Sequence, residues 1–191
     1  DLPTADAGSD ATITCTTTSV QIGTAGAAGF TYAWLPATGL NDASLAQPTA
    51  SPTATTTYSL VVTETATGCS SVADTVVVTV DNDLPTADAG SDATITCTTT
   101  SVQIGTAGAA GFTYAWLPAT GLNDASLAQP TASPTATTTY SLVVTETATG
   151  CSSVADTVVV TVDNDLPTAD AGSDATITCT TTSVQIGTAG A

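Results

Sequence analysis

The side chains capable of chemistry are few and of two kinds. Cysteine occurs five times, as Cys15, Cys69, Cys97, Cys151 and Cys179, and acids occur 17 times against no Lys, Arg or His. No CxxC pair and no imidazole is present, so the thiols read as a disulfide framework made in an oxidising compartment rather than as a zinc site. General acid–base catalysis has little to work with, because the chain has no His and no Lys and Glu64 stands near a predicted hairpin without a carboxylate partner. The catalytic set is therefore empty, and the expectation is a protein that is not an enzyme.

These residues recur at a fixed interval. Asp1-Leu2-Pro3-Thr4-Ala5-Asp6-Ala7-Gly8 returns at Asp83 and again at Asp165, and everything between returns with it without a mismatch. Cys97 repeats Cys15, Cys151 repeats Cys69, and Cys179 repeats Cys15 once more. Solenoid coils repeat every 20 to 50 positions, far less than the interval from Asp1 to Asp83, whereas that interval approaches the length of a small all-β domain. Each copy therefore reads as one domain in a string. The expected units are 1–82, 83–164 and a partial third copy, 165–191, which holds the first two strands of a domain and would complete a neighbouring one. An enzyme gains little from identical neighbours; a spacer gains length with each.

Composition excludes several partners. A formal charge of −17 with no basic residue cannot neutralise phosphates, which rules against nucleic acid and anionic membrane surfaces. No stretch approaches the roughly 20 apolar residues of a membrane span, and the first residues do not resemble a signal peptide, so membrane insertion is not expected in this segment. With 42% hydrophobic residues the chain has enough apolar surface to fold, unlike disordered acidic chains. Lacking Lys, it has no amine for an intramolecular isopeptide bond, and trypsin-like proteases find no basic residue to cut beside.

Within one copy the hydrophobic pattern has period 2 throughout. Ile13 and Cys15 share a face opposite Thr12 and Thr14; Val20 and Ile22 follow; Phe30, Tyr32 and Trp34 alternate with Thr31, Ala33 and Leu35. The stretch 38–57 carries Pro48 and Pro52 and should be loop with one short edge strand, since proline cannot donate into a sheet. Tyr58, Leu60 and Val62 face inward, the turn Ala66-Thr67-Gly68-Cys69 reverses the chain, and Val76, Val78 and Val80 face inward on the last strand. Strands this short need two packed sheets, which makes the fold class all-β with sandwich domains of about seven strands each. Trp34, mid-strand between two aromatics, reads as a core anchor rather than a stacking platform for sugar.

Ala5-Asp6-Ala7-Gly8, Tyr32-Ala33-Trp34, Pro48-Thr49-Ala50, Thr57-Tyr58-Ser59-Leu60-Val61-Val62-Thr63 and Val76 to Val80 resemble the polycystic-kidney-disease (PKD) type of immunoglobulin-like domain. The nearest likeness is to the variants strung in arrays in bacterial surface adhesins, including gliding-motility adhesins. It covers essentially the whole period and implies tandem immunoglobulin-like (PKD-like) β-sandwiches that serve mostly as spacers. The family's Trp-Asp-Phe-Gly-Asp-Gly after the third strand is here Trp34-Leu35-Pro36-Ala37-Thr38-Gly39, so no role of those acids carries over.

Three disulfide pairings follow, in this order. Cys15 with Cys69 inside one copy is the first, and would stabilise the domain by roughly 3–4 kcal/mol in the chain-entropy model. In an immunoglobulin-like topology, however, Cys15 lies near the first turn and Cys69 near the last hairpin, at opposite ends, so the second is Cys15 with Cys151 of the adjacent copy. The third pairs Cys69 with Cys97 and Cys151 with Cys179, making 28–109 and 110–191 the folded units and leaving the segment 1–27 to complete a neighbour by strand donation.

The junction Asp81-Asn82-Asp83-Leu84-Pro85, followed by Asp88 and Asp92, and its repeat at Asp163, Asn164, Asp165, Asp170 and Asp174, gather oxygen donors of the kind a hard cation such as calcium takes. The spelling resembles the Asp-Asn-rich linkers of cadherins, although the bidentate Glu is missing, and a solvated turn-forming linker is the simpler reading. Asp74-Thr75-Val76 resembles a short Asp-Thr-aliphatic O-glycosylation acceptor of adhesin-bearing bacteria, which makes Thr75 and Thr157 candidate sugar sites. The other Thr residues read as β-formers on solvent faces.

The function expected is the structural repeat region of a secreted bacterial surface adhesin or extracellular filament, a rod-like stalk outside the cell whose partners are neighbouring copies of itself. A carbohydrate- or protein-binding module that meets surface glycans or other cells is the alternative, and it needs an exposed Tyr or Phe near the loops. An ice-binding repeat built on outward pairs such as Thr12 and Thr14 is more remote, because a twisted sandwich presents no flat array. Loops identical between copies favour the stalk.

Overall fold

In a computed structural model of the chain, residues 2–187 are described. Each full copy folds into six strands, and the two copies carry the same six at the same offsets. The first holds β1 (Ala11–Thr14), β2 (Val20–Gln21), β3 (Phe30–Leu35), β4 (Thr49–Ala50), β5 (Thr56–Glu64) and β6 (Asp74–Asp81). The second holds β7 (Ala93–Thr96), β8 (Val102–Gln103), β9 (Phe112–Leu117), β10 (Thr131–Ala132), β11 (Thr138–Glu146) and β12 (Asp156–Asp163). The larger sheet runs β1-β6-β5-β3, or β7-β12-β11-β9, and faces a two-stranded sheet, β2-β4 or β10-β8. An isolated bridge from Leu40 to Ala50 extends the smaller sheet.

One pairing sets this arrangement apart from a set of hairpins. β1 lies parallel to β6, with Ala11 opposite Val78 and Thr14 opposite Asp81, and β7 lies parallel to β12 in the same register. Parallel neighbours cannot be joined by a tight turn, so the first and last strands of a copy meet only after the rest of the sandwich has been wound between them.

The inward residues are those the period-2 pattern marks. Trp34, Tyr58, Leu60, Val62, Val76 and Val78 are buried with Ala7, Ile13, Ile22 and Ala50 into one core, and their equivalents in the second copy form another. Val80, Phe30 and Tyr32 pack against the first core while staying partly exposed. Trp34 is a core residue, and its indole Nε1–H donates to the Leu45 carbonyl at 2.9 Å, so the one polar atom of the largest buried side chain is satisfied. Gly23 (φ +80°) lies against that ring, where a Cβ would overlap the Ala46 carbonyl.

The segment before β1 is not a strand, yet it is tied down. The Ala7 amide donates to Asp74 Oδ2 at 2.8 Å and the Ala7 carbonyl accepts from the Gly23 amide at 2.9 Å. Asp10 Oδ1 accepts from the Val77 amide at 2.8 Å. Asp156 and Asp92 repeat both carboxylate clamps in the second copy.

The third copy differs from the expectation of two strands. Residues 165–187 form no strand, and Ile177 and Ile186 are exposed, although the equivalent Ile13 and Ile22 are buried. The cause is the parallel pairing: the first strand of a copy adds to the last strand of the same copy, and among the described residues no such strand follows Asp165. Residues 188–191 of this copy lie outside the described residues.

Burial raises the hydroxyl pKa of Tyr58 and of Tyr140 above the ordinary phenol value. A folded state that favours the neutral phenol holds its full contribution below about pH 10, the unfolded value, and loses it as pH rises through the raised folded value. Thermal unfolding scans should therefore show melting temperature falling above about pH 10. In a Tyr58→Phe/Tyr140→Phe variant the fall should be shallower, with about 1 kcal/mol lost per copy at neutral pH because the bonds from Tyr58 to the Thr38 carbonyl and from Tyr140 to the Thr120 carbonyl are gone.

Candidate functional site: the junction between copies

The cysteines find their places through this topology. Cys15 follows the last residue of β1, whose partner Thr14↔Asp81 is also the end of β6, so Cys15 stands where the chain leaves the first copy for the second. Cys151 sits in the hairpin between β11 and β12, at the pole of the second copy that faces the first. The two are joined: Cys15 and Cys151 form a disulfide with Cα atoms 5.1 Å apart, across a sequence separation of 136. The pairing inside one copy, Cys15 with Cys69, is not formed, and neither are Cys69–Cys97 and Cys151–Cys179; Cys69, Cys97 and Cys179 are free and exposed. The reason is distance. Cys15 and Cys69 lie at opposite ends of β6, which at about 3.3 Å per residue separates them by roughly 25 Å, far beyond the roughly 7 Å a bridge can span.

A small complementary contact surrounds the bridge. Thr16 Oγ1 donates to the Thr149 carbonyl at 3.2 Å, and Cys151 Sγ lies 3.9 Å from the Asp81 carbonyl. The two copies act as an internal control, since their hairpins have one sequence. Cys69 and Thr67 are exposed, whereas Cys151 and Thr149 are buried, at 0% and 6% exposure. A Cβ added at Gly68 meets nothing, whereas one added at Gly150 would fall 2.5 Å from Thr16 Cγ2. Both glycines have positive φ, +70° and +71°, so the backbone is the same and only the neighbour differs.

The acidic residues of the junction do not come together. Among the described residues no group of three or more Cys, Asp or Glu side chains is placed to hold a metal ion. Asp88 Oδ1 accepts from the Gly90 amide at 3.0 Å, and Asp92 Oδ1 accepts from the Val159 amide, so both are engaged inside the second copy. Asp81 is half-buried at the end of β6, with Asn82 and Asp83 exposed beyond it. At the second junction Asp163, Asn164, Asp165, Asp170 and Asp174 are all exposed, and Asp170 Oδ1 is turned back on the Gly172 amide at 2.8 Å. The donor set does not fit a single shared calcium ion.

Thr75 and Thr157 are exposed on β6 and β12, each beside an inward valine. The half-buried aromatics lie elsewhere: Phe112 and Tyr114 line a groove of about 560 Å³ with Leu84, Pro85 and Asp88, and Phe30 and Tyr32 line its equivalent of about 460 Å³. The Tyr114 hydroxyl accepts from the Ala109 amide at 2.8 Å, which holds the ring in place. Sequence reasoning missed the clamps Asp10, Asp74, Asp92 and Asp156 and the junction residues Thr16, Thr149 and Gly150. The only signal for the last was a glycine immediately before a cysteine.

No family model matches the chain, and no curated protein sequence matches it. Among solved structures it is similar to mouse Cadherin-23 EC22-24, at 10% identity and a TM-score of 0.40 over 86% of this chain and 64% of that one. It is also similar to PcdhgB3 EC1-4, at 11% identity and a TM-score of 0.42 over 85% of this chain and 50% of that one. Drosophila OTK extracellular domains 3–5 give 8% identity and a TM-score of 0.32 over 85% and 65%. The chain spans about half to two thirds of the length of these solved chains. The architecture itself defines the class: an all-β chain of tandem immunoglobulin-like sandwiches, here cross-linked from one copy to the next.

The contact at Gly150 makes a sharp test. Gly150→Ala should lower the yield of the Cys15–Cys151 bridge severalfold when the reduced chain, carrying point labels that distinguish the copies, is reoxidised in a glutathione buffer and the bridge is quantified by peptide mapping. Gly68→Ala, which suffers the same backbone strain without a neighbour, should leave that yield unchanged.

Proposed function

We propose that the chain is the repeat region of an extracellular stalk or filament of a bacterial surface adhesin, built from PKD-type immunoglobulin-like units, 1–82 and 83–164, that are bonded covalently each to the next. The observation that carries this reading is the Cys15–Cys151 bridge between copies. Each full copy has one cysteine at its trailing pole, Cys15 or Cys97, and one in its leading hairpin, Cys69 or Cys151, so the same bridge is open to any two successive full copies. A disulfide also supports an oxidising, extracellular setting. No helix among the described residues is long and apolar enough to cross a membrane. The partners are further copies of the repeat, and the chain carries no residues for catalysis in the proposal.

The bridge adds a second covalent connection beside the linker, so two successive sandwiches are held at one angle. Small-angle scattering of the oxidised chain should fit a single elongated particle, and reduction should broaden the distance distribution as the copies swing about the linker. Calcium at the Asp81–Asp83 joint is the competing way to stiffen the rod. Scattering that tightens with calcium and loosens with a chelator, with no response to reduction, would transfer the role from the thiols to the ion.

O-glycosylation of Thr75 and Thr157 is part of the proposal, supported by their exposure in an Asp-Thr-Val context. Intact mass of the protein from its native source should exceed the polypeptide mass by one glycan per copy; the bare mass removes the sites.

A further inference from the structure

The bridge has a mechanical consequence that follows from which strands it connects. Cys15 directly follows β1 and Cys151 precedes β12, so the disulfide links the first strand of one copy to the last strand of the next. The backbone makes the complementary connection, from β6 through residues 82–92 to β7. In the first copy β1 and β6 are parallel hydrogen-bonded neighbours, and in the second copy β12 and β7 are parallel hydrogen-bonded neighbours. Two covalent tracks therefore run side by side through both sandwiches: β1–Cys15–Cys151–β12 and β6–linker–β7. They point the same way; β1 and β12 carry the first, and β6 and β7 carry the second on either side of the strand-free linker 82–92.

We propose that this pair of tracks is a strain-limiting core, so that tension along the rod passes through extended strands and disulfides and leaves both hydrophobic cores, apart from Ala7, Ile13, Val158 and Val160, outside the load path. Pulled at its ends, the chain bears force along residues 2–15, across the bridge, and along residues 151–187. Everything from 16 to 150 lies in a closed loop, including β2 to β5 with Trp34 and β8 to β11 with Trp116. A strand in a sheet already rises about 3.3 Å per residue, close to the limit of roughly 3.3–3.6 Å, so β1 and β12 have almost no length to give. An immunoglobulin-like string without such bridges would lengthen by unravelling, each copy releasing roughly 200 Å of chain. Cys97 stands after β7 as Cys15 stands after β1, Thr96 facing Asp163 as Thr14 faces Asp81. In a longer array the second track would thus acquire its own bridges. Because the bridge reaches from Cys15 to Cys151 and the repeat returns already at Asp83, successive loops overlap and every peptide bond of the array's interior lies inside at least one.

The inference rests on the same bridge as the stalk reading, but it concerns where force travels, and one experiment separates them. The full chain, with Cys69→Ser, Cys97→Ser and Cys179→Ser to prevent links between molecules, is stretched between handles fused at its two ends, oxidised and then reduced. Peptide mapping of the unsubstituted chain, with point labels that distinguish the copies, first establishes the Cys15–Cys151 bridge. The reduced chain should give two cooperative steps of roughly 200 Å each. The oxidised chain should give none at the forces that unfold the reduced one, only the slack of the residues beyond Asp163. Steps in the bridged chain at those same forces, as β12 or β1 tears from its sheet, would overturn the strain-limiting core and leave the stalk reading standing. Mapping of the unsubstituted chain that finds Cys15 bonded elsewhere would overturn both.

Discussion

The parallel hydrogen bonding of β1 to β6 is the contact on which the rest of the molecule depends. It brings the end of the first strand to the end of the last, Thr14 opposite Asp81, so that Cys15 is delivered to the pole where the next copy begins. The β5–β6 hairpin is at the other pole by the same geometry, because β6 must run the length of the sandwich from one to the other. A copy with one thiol at each pole cannot close a bridge on itself. It can only join onward, and identical copies joined by identical contacts propagate without a new interface being needed at each step. The absence of strands in 165–187 is the same constraint seen from the other side: the sequence of β1 is present, but among the described residues its partner is not.

Much of the fold was legible in the amino-acid pattern. β3 spans Phe30–Leu35, the stretch whose aromatics alternate with small and aliphatic residues, and Tyr58, Leu60, Val62, Val76 and Val78 point inward as period 2 requires. Local alternation determines which face of a strand is apolar, and the core follows from that. Pairing partners are not local. Nothing in Ala11–Thr14 distinguishes a strand that will lie parallel to β6 from one that folds back on β2, and the disulfide connectivity turns on that choice. The acids show the same limit from another direction. Asp81, Asp83, Asp88 and Asp92 are close in sequence, yet Asp88 closes a turn on Gly90 and Asp92 caps the amide of Val159 across the sheet, so proximity along the chain did not become convergence in space. The clamps Asp10 and Asp74 were invisible for the converse reason, since each reaches a backbone amide 67 positions away.

Identity between copies makes the effect of the junction readable without a second structure. The hairpin of the first copy shows what the sequence does alone: Thr67 and Cys69 in solvent, Gly68 with open space around it. The hairpin of the second copy shows the same loop, with the same Thr-to-Glu bond from Thr149 to Glu146 and the same glycine backbone, now covered by Thr16. The loop is therefore formed before it is docked, and the junction is built by bringing finished surfaces together rather than by folding on contact. Preformed surfaces lose little conformational freedom on association, which helps a contact this small to form.

Charge explains why a covalent bond is used there at all. A chain with 17 acids and no base has no salt bridge to offer between copies. Neighbouring sandwiches also repel one another across the short range, about 8 Å, that physiological salt leaves unscreened. The non-covalent contacts at the junction include a hydroxyl-to-carbonyl bond, the Cys151 sulfur beside the Asp81 carbonyl and a methyl against a glycine. Tethering through the linker raises the local concentration of the two surfaces, and the thiols convert that encounter into a bond. The same repulsion acts without hindrance between separate chains, where no cysteine is brought into register by a linker. Acidity thus works against sideways association of chains, while the disulfide holds the two copies together along the chain.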